Sequence, residues 1–316
     1  MSTVYVLVEH DGSQVAPVTA ELITAARPLG AVTAVVVGIP GVTDTLKAAL
    51  AEAGAEVIVA AESADTHRRY LLPQVDALHA LAAHNPGPIV VAAGAAGNEI
   101  AGRLAARLAS GVLCDVVGIN ADRTASQSVF GDQVQVAAAV GGACPIYTLR
   151  PGAVEPAPVA GAGAVTTLEL PGATAKDVAV TGFSLARRGK RPDLTTAKVV
   201  IAAGRGIGSQ ENMALAEELA DALGGAVGVT RDIVDLDYYD GAYQIGQTGV
   251  TVAPDLYIGL GVSGAIQHTS GMQTAKKIVV INNDDDAPIF QIADLGVVGD
   301  LHEVVPALIA EINSRK

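Results

Sequence analysis

Residues 259–268 read GLGVSGAIQH and follow the short apolar run LYI at 256–258. Three glycines stand in the spacing G-x-G-x-x-G, which is typical of a turn that leads from a buried strand into a helix and lets the backbone approach a diphosphate. The spacing alone is weak evidence, because 35 of the 316 residues are glycine. The strand and helix patterns on either side strengthen it, so the stretch predicts a nucleotide-binding α/β unit in the second half of the chain.

A second glycine-rich turn, GRGIG at 204–208, follows the apolar run KVVIAA at 198–203. Arg205 within it offers a guanidinium to an anionic group. Ligands of open parallel sheets bind where strands end at their carboxyl side, so polar residues at the ends of the predicted strands are expected to meet in one crevice. Those residues are Thr230, Arg231, Gln247, Thr248, Gln267, His268 and Asp300.

The ligand stays open at this point. A nicotinamide dinucleotide site usually has an acidic residue about 20 residues after the glycine turn, whereas the next predicted strand here ends in NND at 282–284. An NAD-dependent dehydrogenase is one alternative, and a non-redox adenine-nucleotide-binding module is another. Ordinary structural roles also fit the polar residues: an ion pair with Asp232 or Asp235 for Arg231, and a hydrogen-bonded core position for His268.

The chain is predicted to be α/β throughout and to form two domains. Short apolar runs alternate with helical patterns up to about residue 120, and residues 126–140 and 165–170 read as β-rich extensions of the sheet. The segment SLARRGKRPDLTTA at 184–197 has four basic residues and no apolar period, which indicates a linker. We therefore predict an N-terminal nucleotide-binding-like α/β domain at 1–185, a linker at 186–197, and a C-terminal ligand-binding, parallel-sheet α/β domain at 198–316.

Composition excludes several classes of partner. The formal net charge of −13 opposes binding to nucleic acid phosphates, and aromatic residues make up only 3% of the chain, so there is no stacking platform for bases. No apolar run approaches the roughly 18 to 20 residues of a membrane-spanning helix. We expect a cytoplasmic protein that neither spans a membrane nor binds nucleic acid.

Three longer stretches resemble the α subunit of electron transfer flavoprotein. They are residues 204–231, residues 243–272 with the motifs QTG and SGAIQH, and residues 278–301 with APIFQIADLG. A looser similarity covers VLVEH at 6–10 and residues 95–116. The resemblance implies an αβ heterodimer with one FAD, held mainly by the C-terminal domain of α, and AMP in the β subunit. It also implies an electron carrier without a substrate of its own, which links acyl-CoA or other flavin dehydrogenases of fatty acid oxidation to a quinone oxidoreductase.

The resemblance also implies the cofactor contacts. Carried over by motif, they are Arg205, Thr230, Arg231, Ile245, Gly246, Gln247, Thr248, Ser263, Gly264, Ala265, Ile266, Gln267, His268, Asn282, Asp300 and Leu301. The chain departs from the family pattern at two positions. Thr230 stands where serine is common and keeps the hydroxyl, whereas Val250 stands where a lysine or arginine usually follows QTG and carries no charge.

The expected roles follow from the chemistry of a flavin. A one-electron carrier must stabilise negative charge on the reduced ring, and positive or hydrogen-bond-donating groups do so. Arg231 and His268 are the predicted groups, and Thr248 is expected to bond flavin N5. Ser263 and Gly264 are expected to hold the diphosphate together with Arg205, and the adenosine end is assigned to Asn282 and Asp300.

Overall fold

The computed structural model describes residues 2–130, 134–175, 177–182 and 190–316. The chain divides into two compact units, residues 1–185 and 186–316. Residues 186–189 of the predicted linker, which include Arg187 and Arg188, lie outside the described residues. Within the described ranges, no helix has the length and apolar character needed to cross a bilayer.

The first unit is built on one mixed sheet with helices on its faces. Its helices are α1 (Pro17–Ala26), α2 (Val42–Ala53), α3 (Leu72–His84) and α4 (Ala95–Leu108). Its strands are β1 (Thr3–Leu7), β2 (Ala31–Gly38), β3 (Val57–Glu62), β4 (Ile89–Ala92), β5 (Val112–Ile119), β6 (Ala125–Val129), β7 (Val134–Ala138), β8 (Ile146–Leu149) and β9 (Ala164–Thr167).

The strand order among the described residues is β7-β6-β5-β8-β4-β1-β2-β3-β9. The β5–β6 and β6–β7 pairs are antiparallel and the other pairs are parallel. Strands β7 and β9 form the two edges, which agrees with the predicted β-rich extensions. Successive residues such as Val90 and Val91 are both fully buried, as expected for central strands that are covered on both faces.

The second unit is a five-stranded parallel sheet with the order β11-β10-β12-β13-β14. Its strands are β10 (Val199–Ala203), β11 (Ala226–Val229), β12 (Leu256–Leu260), β13 (Ile278–Asn282) and β14 (Leu295–Val298). Its helices are α5 (Met213–Leu223), α6 (Arg231–Asp235), α7 (Ile266–Thr269) and α8 (Leu301–Ser314). Helix α5 spans the amphipathic run of the sequence and ends at Gly224, whose φ of +66° suits a residue without a side chain.

The order of these strands creates a switch point between β10 and β12. The chain runs outward from β10 to β11 and then returns to the other side of β10 to form β12. At such a point the connections leave the sheet in opposite directions, and a crevice opens beyond the carboxyl ends of the two strands. Both glycine-rich turns lie here, because residues 204–208 follow β10 and residues 261–265 follow β12.

Two of the helices that begin beside this crevice are short. Helix α7, after the second turn, has four residues, and helix α6, after β11, has five. The macrodipole of such short helices is small. Charge stabilisation in this crevice must therefore come mainly from side chains and individual backbone N–H groups.

Candidate functional site

The two glycine-rich turns cross in van der Waals contact. The backbone N–H of Gly204 donates to the carbonyl of Leu260 at 2.9 Å, and that of Gly206 donates to the carbonyl of Gly261 at 3.0 Å. A Cβ atom on Gly206 would lie 2.7 Å from Cα of Gly261, and one on Gly261 would lie 2.6 Å from Cα of Gly206. Only glycine permits this approach at both positions.

A cavity of about 620 Å³ opens beside the crossing, and we call it the switch-point cavity. Its volume lies within the range of roughly 300 to 1,000 Å³ that is usual for cofactor and small-molecule sites. Eleven of the residues that the sequence singled out line it: Arg205, Thr230, Arg231, Ile245, Gln247, Thr248, Ser263, Ala265, Gln267, His268 and Asn282. The expected meeting of separate strand ends is therefore found in the structure.

Five of the predicted residues lie outside the lining of this cavity. Asp300 accepts a hydrogen bond at 2.8 Å from the backbone N–H of His302 and thereby caps helix α8, while Leu301 is buried in the core. Gly264 packs against the backbone of Ile289, and a Cβ there would lie 2.4 Å from that nitrogen. The other two residues outside the lining are Gly246 and Ile266.

Sequence reasoning missed other parts of the lining. Asp232, Asp235 and Gln244 border the cavity. The signal for the two aspartates was their position in the first turn after Arg231, where they were considered only as ion-pair partners. The remaining unpredicted residues, Gly206, Gly261 and Val262, belong to the crossing turns.

His268 is held on both sides by the protein. It is 5% exposed, its Nδ1 lies 3.2 Å from the carbonyl oxygen of Ile245, and its Nε2 lies 2.7 Å from the hydroxyl of Tyr257. Burial lowers the pKa of His268 to about 4. At this pKa the buried ring is neutral near pH 7, and both nitrogens have hydrogen-bond partners within the protein. The assignment of His268 to the reduced flavin ring stays a prediction.

Arg231, the other residue predicted to stabilise a reduced flavin ring, carries a positive charge. It is the first residue of α6, its side chain is 67% exposed, and its Nε lies 3.3 Å from Asp235 Oδ2. An exposed ion pair between residues four apart on a helix contributes only about 0.3 to 0.5 kcal/mol. The guanidinium is thus held weakly and is available to a ligand in the cavity.

Thr248 and Asn282 have defined partners within the protein. The Thr248 hydroxyl oxygen accepts from Gln244 Nε2 at 2.8 Å, which leaves its own hydrogen free to donate. The Asn282 amide donates from Nδ2 to the carbonyl of Val262 at 2.8 Å, and its Oδ1 accepts from the N–H of Asp284 at 3.1 Å. Asn282 thus joins the end of β13 to the second glycine-rich turn, with its side-chain amide used at both ends.

Comparison with known proteins identifies the family. Residues 4–173 match the electron transfer flavoprotein domain, and residues 193–273 match the electron transfer flavoprotein FAD-binding domain. The chain belongs to the electron transfer flavoprotein family. It is 50% identical to proteins named electron transfer flavoprotein subunit alpha from Mycobacterium leprae and Mycobacterium tuberculosis, over 100% of both chains in each case. It is 38% identical to the subunit of the same name from Paracoccus denitrificans, over 93% of this chain and 94% of that one.

The relatives identify this chain as an α subunit, and the match to the FAD-binding domain identifies FAD as its cofactor. The chemistry of the residues that line the switch-point cavity fits a bound FAD. Thr230 is 8% exposed, and its Oγ1 is buried without a hydrogen-bond partner among the described residues. A buried hydroxyl without a partner is rare in a folded protein, and it makes Thr230 a candidate to bond a polar group of the cofactor.

Replacing Thr230 with valine tests this fit. The change keeps the shape of the side chain and removes the unpaired oxygen. We therefore expect the free energy of unfolding of the flavin-free protein to stay the same or to rise. The FAD affinity of the αβ complex is expected to fall about tenfold, as for one lost hydrogen bond. FAD titration of the apoprotein and urea unfolding measure the two quantities.

Thr148→Val is the matched control. Its hydroxyl is also buried, but it lies in the first unit and accepts from the N–H of Asp115 at 2.8 Å. We expect the opposite pattern, a loss of stability with no change in FAD affinity. Equal FAD affinities in Thr230→Val and the wild type would contradict the assignment of Thr230 to the cofactor.

Proposed function

We propose that this chain pairs with an electron transfer flavoprotein β subunit that carries AMP, and relays electrons singly from acyl-CoA or other flavin dehydrogenases to a membrane-associated quinone oxidoreductase. The observation that carries the proposal is the switch-point cavity, in which Arg231, the unpaired Thr230 hydroxyl and a glycine crossing meet within one unit. The FAD that it binds supplies reversible one-electron chemistry.

The residues that line the cavity have different proposed roles in binding FAD and in setting its reduction potential. The glycine crossing and Ser263 provide backbone for the diphosphate, and Arg205 adds positive charge at the same edge. Thr248 keeps a hydroxyl hydrogen for an acceptor such as a ring nitrogen, because Gln244 already donates to its oxygen. Arg231 supplies the positive charge that stabilises an electron-rich ring.

Two features weigh against the rival functions. The residue at the end of β13 is Asn282, whose amide already makes one hydrogen bond at each end within the protein, whereas a nicotinamide site usually has an acidic residue there for ribose. In the first unit, Glu62 accepts from the backbone N–H groups of Gly41 at 2.7 Å and Thr43 at 2.8 Å. Its carboxylate therefore takes the position at the start of α2 where a nucleotide phosphate would bind.

The test is to purify the chain after co-expression with its β subunit. We expect a yellow complex with a flavin absorption spectrum, which a reduced acyl-CoA dehydrogenase bleaches and a quinone oxidoreductase restores. A colourless complex that binds NAD would support the dehydrogenase alternative, and one that binds only AMP or ATP would support the regulatory module. A yellow complex that exchanges electrons with neither partner would overturn the proposed relay while leaving FAD in place.

A further inference from the structure

Tyr257 is a buried side chain that neither the sequence motifs nor the proposed function uses. It is the second residue of β12, is fully buried, and places its ring centroid 6.2 Å from that of His268. Its hydroxyl lies 2.7 Å from His268 Nε2. His268 lines the switch-point cavity and Tyr257 does not, so the tyrosine stands directly behind a residue of the site.

The partners of the two groups determine where the protons lie. A carbonyl oxygen only accepts, so Nδ1 of His268 must carry the hydrogen that is shared with Ile245. In a neutral ring the other nitrogen then has a lone pair, and the tyrosine hydroxyl is the donor to it. This arrangement satisfies every polar atom of the pair, whereas a proton on Nε2 would leave the buried tyrosine hydrogen without an acceptor.

We propose that Tyr257 is a positioning residue for the flavin site, whose hydroxyl holds the ring of His268 uncharged, with its proton on Nδ1, at the wall of the cavity. His268 then acts on the cofactor as a fixed neutral ring, and Arg231 alone of the two supplies charge. The redox consequence rests on the proposed function, but the protonation state does not. Burial raises the pKa of Tyr257 and lowers that of His268, in agreement with the geometry.

Other ionisable groups share the cavity and enter any pH dependence. They are Arg205 from the first glycine turn, and Arg231, Asp232 and Asp235 from α6. Each of these four side chains is exposed, so solvent screens its charge at His268. Tyr257 and the Ile245 carbonyl are the direct contacts of the ring. Removal of the tyrosine hydroxyl is therefore the smallest change that releases Nε2.

The test uses Tyr257→Phe in the full-length chain with its β subunit. Nitrogen-15 NMR of labelled histidine reports each ring nitrogen, and His268→Gln identifies the resonances. In the wild type we expect a protonated Nδ1 and an unprotonated Nε2 near pH 7. In Tyr257→Phe we expect the ring to take up a proton about one pH unit higher, a tenfold change, because the neutral form has lost its donor.

Tyr147→Phe is the control for loss of a buried hydroxyl. Tyr147 is also fully buried and donates to the carbonyl of Arg123 at 2.7 Å in the first unit. With FAD bound, the midpoint potential of Tyr257→Phe is expected to rise more steeply as the pH falls than that of Tyr147→Phe. A wild-type ring protonated on Nε2, or the same titration in Tyr257→Phe, would overturn the proposal.

The outcomes separate this proposal from the proposed function. The NMR experiment needs no flavin, so a protein that fails to bind FAD still reports the state of His268. If Tyr257→Phe does not fold, the wild-type spectrum alone decides which nitrogen carries the proton. If both proteins show the expected nitrogen states but equal potentials, the positioning of the ring stands and its effect on the cofactor is refuted.

Discussion

Replacement of Gly261 with alanine is expected to abolish FAD binding and to destabilise the second unit by about 2 to 5 kcal/mol. The φ of Gly261 is +61°, and a Cβ there would lie 2.6 Å from Cα of Gly206. The left-handed backbone costs a non-glycine residue roughly 1 to 2 kcal/mol, and overpacking against an immobile neighbour adds about 1 to 3 kcal/mol. Since that neighbour is backbone, the clash is relieved only by separating the two turns.

Gly224→Ala separates these two contributions. Gly224 has a φ of +66°, and a Cβ there would meet no atom within 4 Å. We expect a loss of only about 1 to 2 kcal/mol, from the backbone conformation alone, and normal FAD binding. Gly206→Ala should lose FAD as Gly261→Ala does, because its Cβ would meet the same crossing at 2.7 Å. Urea unfolding and FAD titration measure both effects, and a Gly261→Ala protein that binds FAD normally would refute the structural role of the crossing.

Replacement of Arg231 with alanine is expected to lower the potential for adding the first electron to bound FAD by roughly 100 mV. One charge-assisted hydrogen bond contributes about 1.5 to 3 kcal/mol, and about 59 mV corresponds to a tenfold change for one electron. The stability of the flavin-free protein should change little, because the side chain is 67% exposed and its ion pair among the described residues is with Asp235 on its own helix. A spectroelectrochemical titration of the complex gives the potential.

Arg315 provides a matched control for this prediction. It forms an ion pair with Glu311, four residues earlier on α8, and its side chain is 78% exposed. Arg315→Ala removes the same kind of surface pair from residues that do not line the cavity, so the potential should stay unchanged. Arg231→Lys keeps the charge and is expected to recover most of the shift. If Arg231→Ala binds FAD at the wild-type potential, the charge that tunes the cofactor comes from elsewhere.

Much of the second unit could be predicted because its signals are local. The amphipathic run at 213–223, Gly224 and the two glycine turns depend on periodicity and on backbone conformations that few residues adopt. Their meeting followed from the rule for parallel sheets. Asp300 was assigned to the adenosine end of the cofactor, although Asp300 followed by Glu303 before an apolar run is a helix-start signature, and the structure has the corresponding cap.

The state of His268 could not be predicted, because it depends on three segments that are distant in sequence. The ring belongs to α7, its acceptor is the carbonyl of Ile245, and its donor is Tyr257 in β12. In the sequence Tyr257 is only an apolar strand residue, and nothing local shows that its hydroxyl faces a histidine. Burial in turn lowers the pKa of the ring, which no local feature of the sequence indicates.

The crossing of the two glycine turns has a consequence for how this family of carriers can change. The crossing is held by peptide groups, which are the same whatever amino acid is encoded, whereas other parts of the cavity are lined by side chains such as Arg231, Thr248 and Gln244. We therefore expect the crossing to govern retention of the cofactor more than these three side chains do, and the side chains to govern its reduction potential. Substitutions of those side chains should give a series of carriers that differ in reduction potential and that all keep their flavin.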